Sequence, residues 1–188
     1  MGTSGYISFI ADNEAKNAYS HLDSGPDDLG IKMLHWIRSA IAQPDPLKEA
    51  ITRLKVVSGE GPLPTPEEVS RFRQYSDPHV GDPRLEWYAL LRRTQGDPTA
   101  ILACGYVVYE DDPSGWIYEV NSDQRSFTVN YCDENRVTWP WTALLTDDQF
   151  LAQANQLDSE EESDDYDDEY NELNDAIKSC ADLFLVRT

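Results

Sequence analysis

Basic residues, sulfur and unbroken apolar stretches are all scarce in this chain of 188 residues. Lysine and arginine number 15 against 35 aspartates and glutamates, a formal charge of -20. A chain that acidic repels phosphate backbones and anionic lipid, which argues against direct binding of nucleic acid or membrane and in favour of basic proteins or small molecules as partners. No apolar run reaches the eighteen or so residues of a membrane span, and the start "MGTSGYISFIADNEAK" lacks the basic and long apolar regions of a secretion signal. The expected location is therefore cytoplasmic. Gly2 does not make a myristoylation signal, because Tyr6 stands where that motif has Ser or Thr. Cys104, Cys132 and Cys180 are odd in number and form no CxxC pair, so neither a disulfide framework nor a zinc site is signalled. His35 and His79 have no partner at metal-ligand spacing, and no cofactor is expected.

What the chain does contain is well-punctuated secondary structure. "YISFIAD" alternates apolar and polar residues and "NAYSH" follows a polar link, predicting a hairpin over residues 6–12 and 17–21. Leu29, Met33, Trp36, Ile37, Ala40 and Ile41 fall on one helical face, with Asp27 or Asp28 as cap. "PDPLKEAITRLKVV" reads as a second helix capped by Asp45, and Thr65 with Glu68 forms a capping box for a third reaching Tyr75. Asp82 and Pro83 are expected to open a helix through "RLEWYALLRR". "GDPTAILACG" predicts a short helix closed by Gly105, with a strand following at Tyr106. "GWIYEV" and "SFTVNYC" form a second hairpin, "NRVTWPW" an edge strand, and "TDDQFLAQANQ" a last helix. The fold class is α+β: a mainly antiparallel sheet built from an N-terminal and a C-terminal hairpin, with helices in between packed on it. Residues 1–156 form one domain, 157–171 an acidic linker, and 172–188 an amphipathic segment able to dock back.

Three stretches, "MGTSG" with "YSHLDSGPDDLG", then "WYALLRRTQGDPTAIL", then "WIYEVNSDQRSFTV", occur in an order that resembles a family of small proteins of actinobacteria and their phages, with distant relatives in fungi. The likeness spans about residues 1–150. It implies an actinobacterial or actinophage source, and carries no established biochemical function. Ser4 stands where such proteins usually have arginine and Gly25 where they have tyrosine, so a role needing a guanidinium or a ring at those places is not carried by this chain. The stretch from Glu110 to Gly115 is also shorter than in those proteins.

The candidate chemistry centres on "YSHLDS". His21 and Asp23 lie two apart, on one side of an extended strand, where a carboxylate can orient an imidazole as general base beside the hydroxyls of Ser20, Ser24 or Thr3. The structural alternative is an Asx or Ser turn with His21 bonded to the loop. An N-terminal nucleophile is disfavoured because residue 2 is glycine. Arg92, Arg93, Thr94 and Gln95 read as the capped end of a helix rather than an anion site. Tyr19, Trp139 and Trp141 are candidate binding aromatics, and of the set Trp116, Tyr118, Phe127, Tyr131, Trp139 and Trp141 two or three are expected at the surface. Asp164, Asp165, Asp167 and Asp168 belong to the run "DSEEESDDYDDEYNE", which lacks the glycine and final glutamate of a calcium loop and is a candidate protein-binding segment. The leading functional reading is an acidic, non-enzymatic interaction protein, a phage or mobile-element accessory factor that binds a basic host protein, nucleic-acid mimicry being one mode. The rival is a small enzyme or ligand-binding domain, hydrolytic in one form, with its pocket at the first hairpin and the His21/Asp23 loop.

Overall fold

Asp12 and Asn13 both sit at positive φ, 54° and 61°, the paired left-handed geometry of a two-residue hairpin loop that Asp and Asn tolerate better than other side chains. They join β1 (Gly5–Ala11) to β2 (Glu14–Ser20), antiparallel with Gly5 opposite Ser20. The structure, a computed structural model, describes residues 3–21, 23–109, 115–132 and 135–159. Beyond the hairpin come a π-helical turn (Pro26–Gly30), α1 (Ile31–Ala40), α2 (Pro44–Thr52), β3 (Lys55–Ser58), α3 (Pro66–Phe72), α4 (Trp87–Leu90), α5 (Pro98–Cys104) and β4 (Tyr106–Tyr109). The chain then returns to the first sheet as β5 (Trp116–Asn121), β6 (Ser126–Tyr131) and β7 (Asn135–Pro140), and α6 (Asp147–Ser159) follows.

The fold is α+β. Its main sheet has the order β2-β1-β5-β6-β7, with β1 and β5 parallel and the other three pairings antiparallel. Strand alternation puts Ile7, Phe9, Tyr118, Val120, Phe127 and Val129 on one face, where Met33, Leu34, Ile37, Ile51 and Phe150 from the helices close over them. The opposite face is more polar, with Thr128 and Thr138 directly paired and sharing a hydrogen bond of 2.9 Å. A second cluster surrounds β3 and β4, where Tyr106 stacks on Trp87 at 5.4 Å and meets Phe72 edge-on at 5.0 Å.

Lys16 ties the first hairpin to the helical layer. It follows the alternation onto the core face and is buried, and its ammonium donates to the carbonyls of Ile51 (3.3 Å), Thr52 (2.7 Å) and Leu54 (2.9 Å). The carbonyls at the end of α2, of which that of Ile51 also accepts from the Leu54 N–H at 3.1 Å, thus receive a buried cation, which also complements the helix dipole. At the surface, Lys48 of α2 bridges Asp12 at 2.9 Å and Asp123 at 2.7 Å, clipping the β1–β2 and β5–β6 turns to the same helix.

Several expectations hold. Thr65 and Glu68 form the capping box, Asp97 caps α5 with Pro98 behind it, and Gly105 ends α5 at φ 79°. Thr146 and Gln149 make a reciprocal cap for α6. Others are corrected. Neither Asp27 nor Asp28 caps α1 by a side-chain bond, because the π-helical turn feeds straight into it, and α2 starts at Pro44 without a side-chain cap from Asp45. "KVVS" is a strand and not the end of a helix: its β-branched pair lies in register with Val107 and Val108 of β4. Asp82 folds back on Arg84, and helix begins only at Trp87, so "RLEWYALLRR" is a turn, a short helix and a 3-10 turn (Arg92–Thr94). Trp116, Tyr118, Phe127, Trp139 and Trp141 are all buried, and Tyr131 is partly so, because strands and helices cover both ring faces. Helix α6 runs through Ser159, past the expected boundary at residue 156. The acidic run from residue 160 and the 172–188 segment lie outside the described residues, as do Cys180, Asp164, Asp165, Asp167 and Asp168.

Two outcomes follow. Lys16→Met removes the ammonium from three carbonyls, of which Ile51 keeps the Leu54 N–H, and is expected to destabilise the fold by about 3 kcal/mol in urea unfolding. Lys48 and the Asn13 amide hold the Asp123 carboxyl down to about 2, and Lys48 with Thr52 lowers that of Asp12. Both are more acidic than the ordinary value of 3.8, so their stabilisation is complete above that pH and drains away as the pH falls toward about 2. Lys48→Met is expected to flatten that acid loss, read as the slope of urea midpoint against pH.

Candidate functional site

Ser24 is the keystone of the loop after β2. Its side chain is fully buried, its N–H donates to the Thr3 carbonyl at 3.0 Å, and its hydroxyl donates to the Ser20 carbonyl at 3.4 Å. Its own carbonyl accepts from the buried Tyr118 hydroxyl at 2.9 Å. Burial pushes the Tyr118 hydroxyl pKa well above its ordinary value, with Asp27 and Asp28 adding to the effect, so it stays a donor. The approach is close because residue 5 is glycine: a Cβ there would lie 2.5 Å from the Trp116 carbonyl and 2.7 Å from the Ser24 Cβ. The stretches "GTSG", "HLDSG" and "WIYEV" therefore meet at one seam.

Beside that seam lies a pocket of about 350 Å³. One wall comes from the loop and the start of α1, with His21, Asp23, Asp28 and Lys32; the other comes from the 3-10 turn, with Arg92 and Gln95. Gly96, at φ 68°, lets the two walls approach, since a Cβ would come within 3.2 Å of the Ser20 hydroxyl. Lys32, Asp23 and Asp28 are exposed and make no ion pair among the described residues. Charges of both signs thus face the pocket without a protein counter-ion.

Arg92 and Gln95 are prearranged. The guanidinium lies 5.3 Å from the centre of the Tyr88 ring and donates from Nη1 to the Gln95 Oε1. A guanidinium has no acceptor, which fixes the amide orientation and turns Nε2 away from Arg92. Nε2 is buried and has no partner, a state that costs about 1–3 kcal/mol unless an acceptor arrives.

His21 follows the end of β2. Its Nδ1 is 3.3 Å from the Tyr19 hydroxyl, and its ring stands edge-on to Tyr88 at 6.3 Å. The extended geometry expected for His21 and Asp23 does not occur: the strand stops at Ser20, and Asp23 turns left-handed at φ 49°, its carbonyl accepting from the Leu29 N–H at 3.3 Å. The two side chains share the pocket, and no hydrogen bond or ion pair joins them among the described residues. Thr3 is exposed, joins the loop through its carbonyl, and does not line the pocket. Tyr19, Trp139 and Trp141 are only 8%, 7% and 7% exposed. Trp139 donates to Gln153 at 3.1 Å, so these rings serve packing.

Sequence reasoning missed Asp28 and Lys32, and it sets Arg92 and Gln95 aside as a helix end rather than an anion site, whereas the structure brings all four to the pocket. Lys32 and Asp28 carry a weak signal, since they lie four apart at the helix start next to the loop. Gln95 resembled a cap, and only the tertiary fold brings it to the loop. The carboxylates of the described residues show no metal-binding cluster, and among those residues no helix is long and apolar enough to cross a membrane. No family model matches the chain, and no curated protein or solved structure matches it.

The left-handed turn at Asp23 separates loop structure from pocket chemistry. Asp23→Gly is expected to keep stability within about 1 kcal/mol, whereas Asp23→Val should cost about 1–2 kcal/mol more, because a branched side chain resists positive φ. Guanidinium unfolding of the two variants measures the difference.

Proposed function

We propose that this protein is a small-molecule-binding domain whose site is the pocket between the His21–Asp23 loop and the Arg92–Gln95 turn. The observation that carries the reading is a concave site lined by charged groups of both signs, with no ion pair among the described residues, beside a buried Gln95 amide nitrogen that has no hydrogen-bond partner there. A buried donor left without an acceptor lowers stability, and a ligand that supplies one recovers that cost. The volume falls at the small end of metabolite pockets, about 300–1,000 Å³.

Binding fits better than nucleophilic catalysis. The Ser24 hydroxyl is fully buried and committed to the Ser20 carbonyl, Thr3 stands outside the pocket, and Ser20, which lines it, is buried with no hydrogen bond to His21 among the described residues. The other reading, an acidic factor that captures a basic protein, rests on the net charge, the lack of a complete catalytic set in the sequence and the family resemblance. Most of the net negative charge lies in residues outside those described, and no described surface favours it.

Amide NMR of the full chain, titrated with a set of small carboxylates, amines, amino acids and monophosphates, tests the reading. At least one compound is expected to shift the amides of residues 20–32 and 92–96 together, and Arg92→Ala is expected to weaken that response ten-fold or more. Shifts elsewhere only, or none at all, would overturn the assignment of this pocket.

A further inference from the structure

We infer that the ligand is a zwitterion of free amino-acid size, its carboxylate held by Arg92, Lys32 and the Gln95 amide and its ammonium by Asp28 and Asp23. The inference rests on the pocket being a binding site and specifies what that site takes.

The charge pattern selects the class. A ligand with only an anionic group meets Arg92 and Lys32 but places its charge beside two unpaired carboxylates; a phosphate, with its higher charge, is repelled more. An amine alone meets the mirror problem. Only a molecule that carries both charges pairs with both sets of groups, and a pocket of about 350 Å³ suits one of free amino-acid size.

The cationic side is the better prepared. Arg92 is stacked on Tyr88 and hydrogen-bonded to Gln95, so it is oriented before a ligand enters, and only Nη1 of its nitrogens is committed to Gln95. A fork of remaining guanidinium donors suits a carboxylate. The Gln95 Nε2 is buried with no hydrogen-bond partner among the described residues, and Gln95 lines the pocket beside Arg92. On the opposite wall, which Lys32 shares, Asp28 projects from the π-helical turn that leads into α1, and Asp23 is fixed by its left-handed turn. Gln95 is a positioning residue for Arg92 as well as a donor.

Isothermal titration of the full chain with the common amino acids, and with the N-acetyl and methyl-ester forms of the tightest binder, tests this directly. The acetyl form lacks the ammonium and the ester lacks the carboxylate. Each is expected to bind at least ten-fold more weakly than the parent. In Asp28→Asn the penalty for acetylation should shrink at least three-fold while the penalty for esterification persists; in Arg92→Gln the pattern should reverse. A variant that merely folds poorly loses both penalties together and cannot give this crossed result. Equal binding of the acetylated form, of propionate or of inorganic phosphate would overturn the zwitterion and leave an anion site. If no amino acid binds while other compounds still shift residues 20–32 and 92–96, the ligand class fails and the pocket assignment stands. If nothing shifts those residues, both fail.

Discussion

The packing of Ser24 against Gly5 is the constraint on which the site depends. Every polar group of Ser24 is bonded, to Thr3, Ser20 and Tyr118, and its Cβ occupies the space that a larger residue at position 5 would need. The first strand, the loop after the second and the fifth strand are thereby held at one point. The loop cannot relax outward without stranding a buried carbonyl and a buried phenol. With the loop fixed, the π-helical turn is aimed along α1, and Gly30 lies within reach of Tyr118 and Phe150, where a Cβ would come within about 3 Å of both rings. The wall bearing His21, Asp23, Asp28 and Lys32 is thus set by the sheet and not by the loop's own preferences.

The legible part of the fold is the part written locally. The capping box at Thr65, the Asp97–Pro98 start and Gly105 stop of α5, and the alternation in "YISFIA" and "WIYEV" each act within a few residues, and each appears as expected. Elements defined by distant partners were not legible. Lys55–Ser58 becomes a strand because Tyr106–Tyr109 lies beside it, about fifty residues away, and nothing in "KVVS" announces that partner. Between Asp82 and Thr94 the helical pattern is real, but Arg84 satisfies Asp82 at once, and the chain turns before a helix can form.

The site shows the same division. His21 and Asp23 were found because the loop that carries them is short and chemically distinctive, while the geometry assumed for them failed on one left-handed residue. Arg92 and Gln95 sit at a turn whose sequence is explained by chain punctuation, so their second role appears only when the turn meets the loop. Lys16 has a traceable signal in retrospect. It shares the side of the strand with Ala18, which lies opposite Ile7, and that places a charge on the core face. Such a lysine needs a partner, and the end of α2 supplies three carbonyls.

The parallel pairing of β1 with β5 also sets an order of events. Gly5 registers with Trp116 and Ile10 with Asn121, so the strand made first finds its central neighbour only after more than a hundred further residues have been synthesised. Until then the first hairpin has one open edge and an apolar face carrying Ile7 and Phe9, the state in which strands pair with the wrong chain. Contacts this far apart in sequence also slow closure of the sheet. The helices that cover that face follow the hairpin directly, and the carbonyls that Lys16 meets lie 35 to 38 residues on from it, all before β5 in the chain. The lysine clamp therefore joins the hairpin to its helical layer through residues that all precede the fifth strand in the chain.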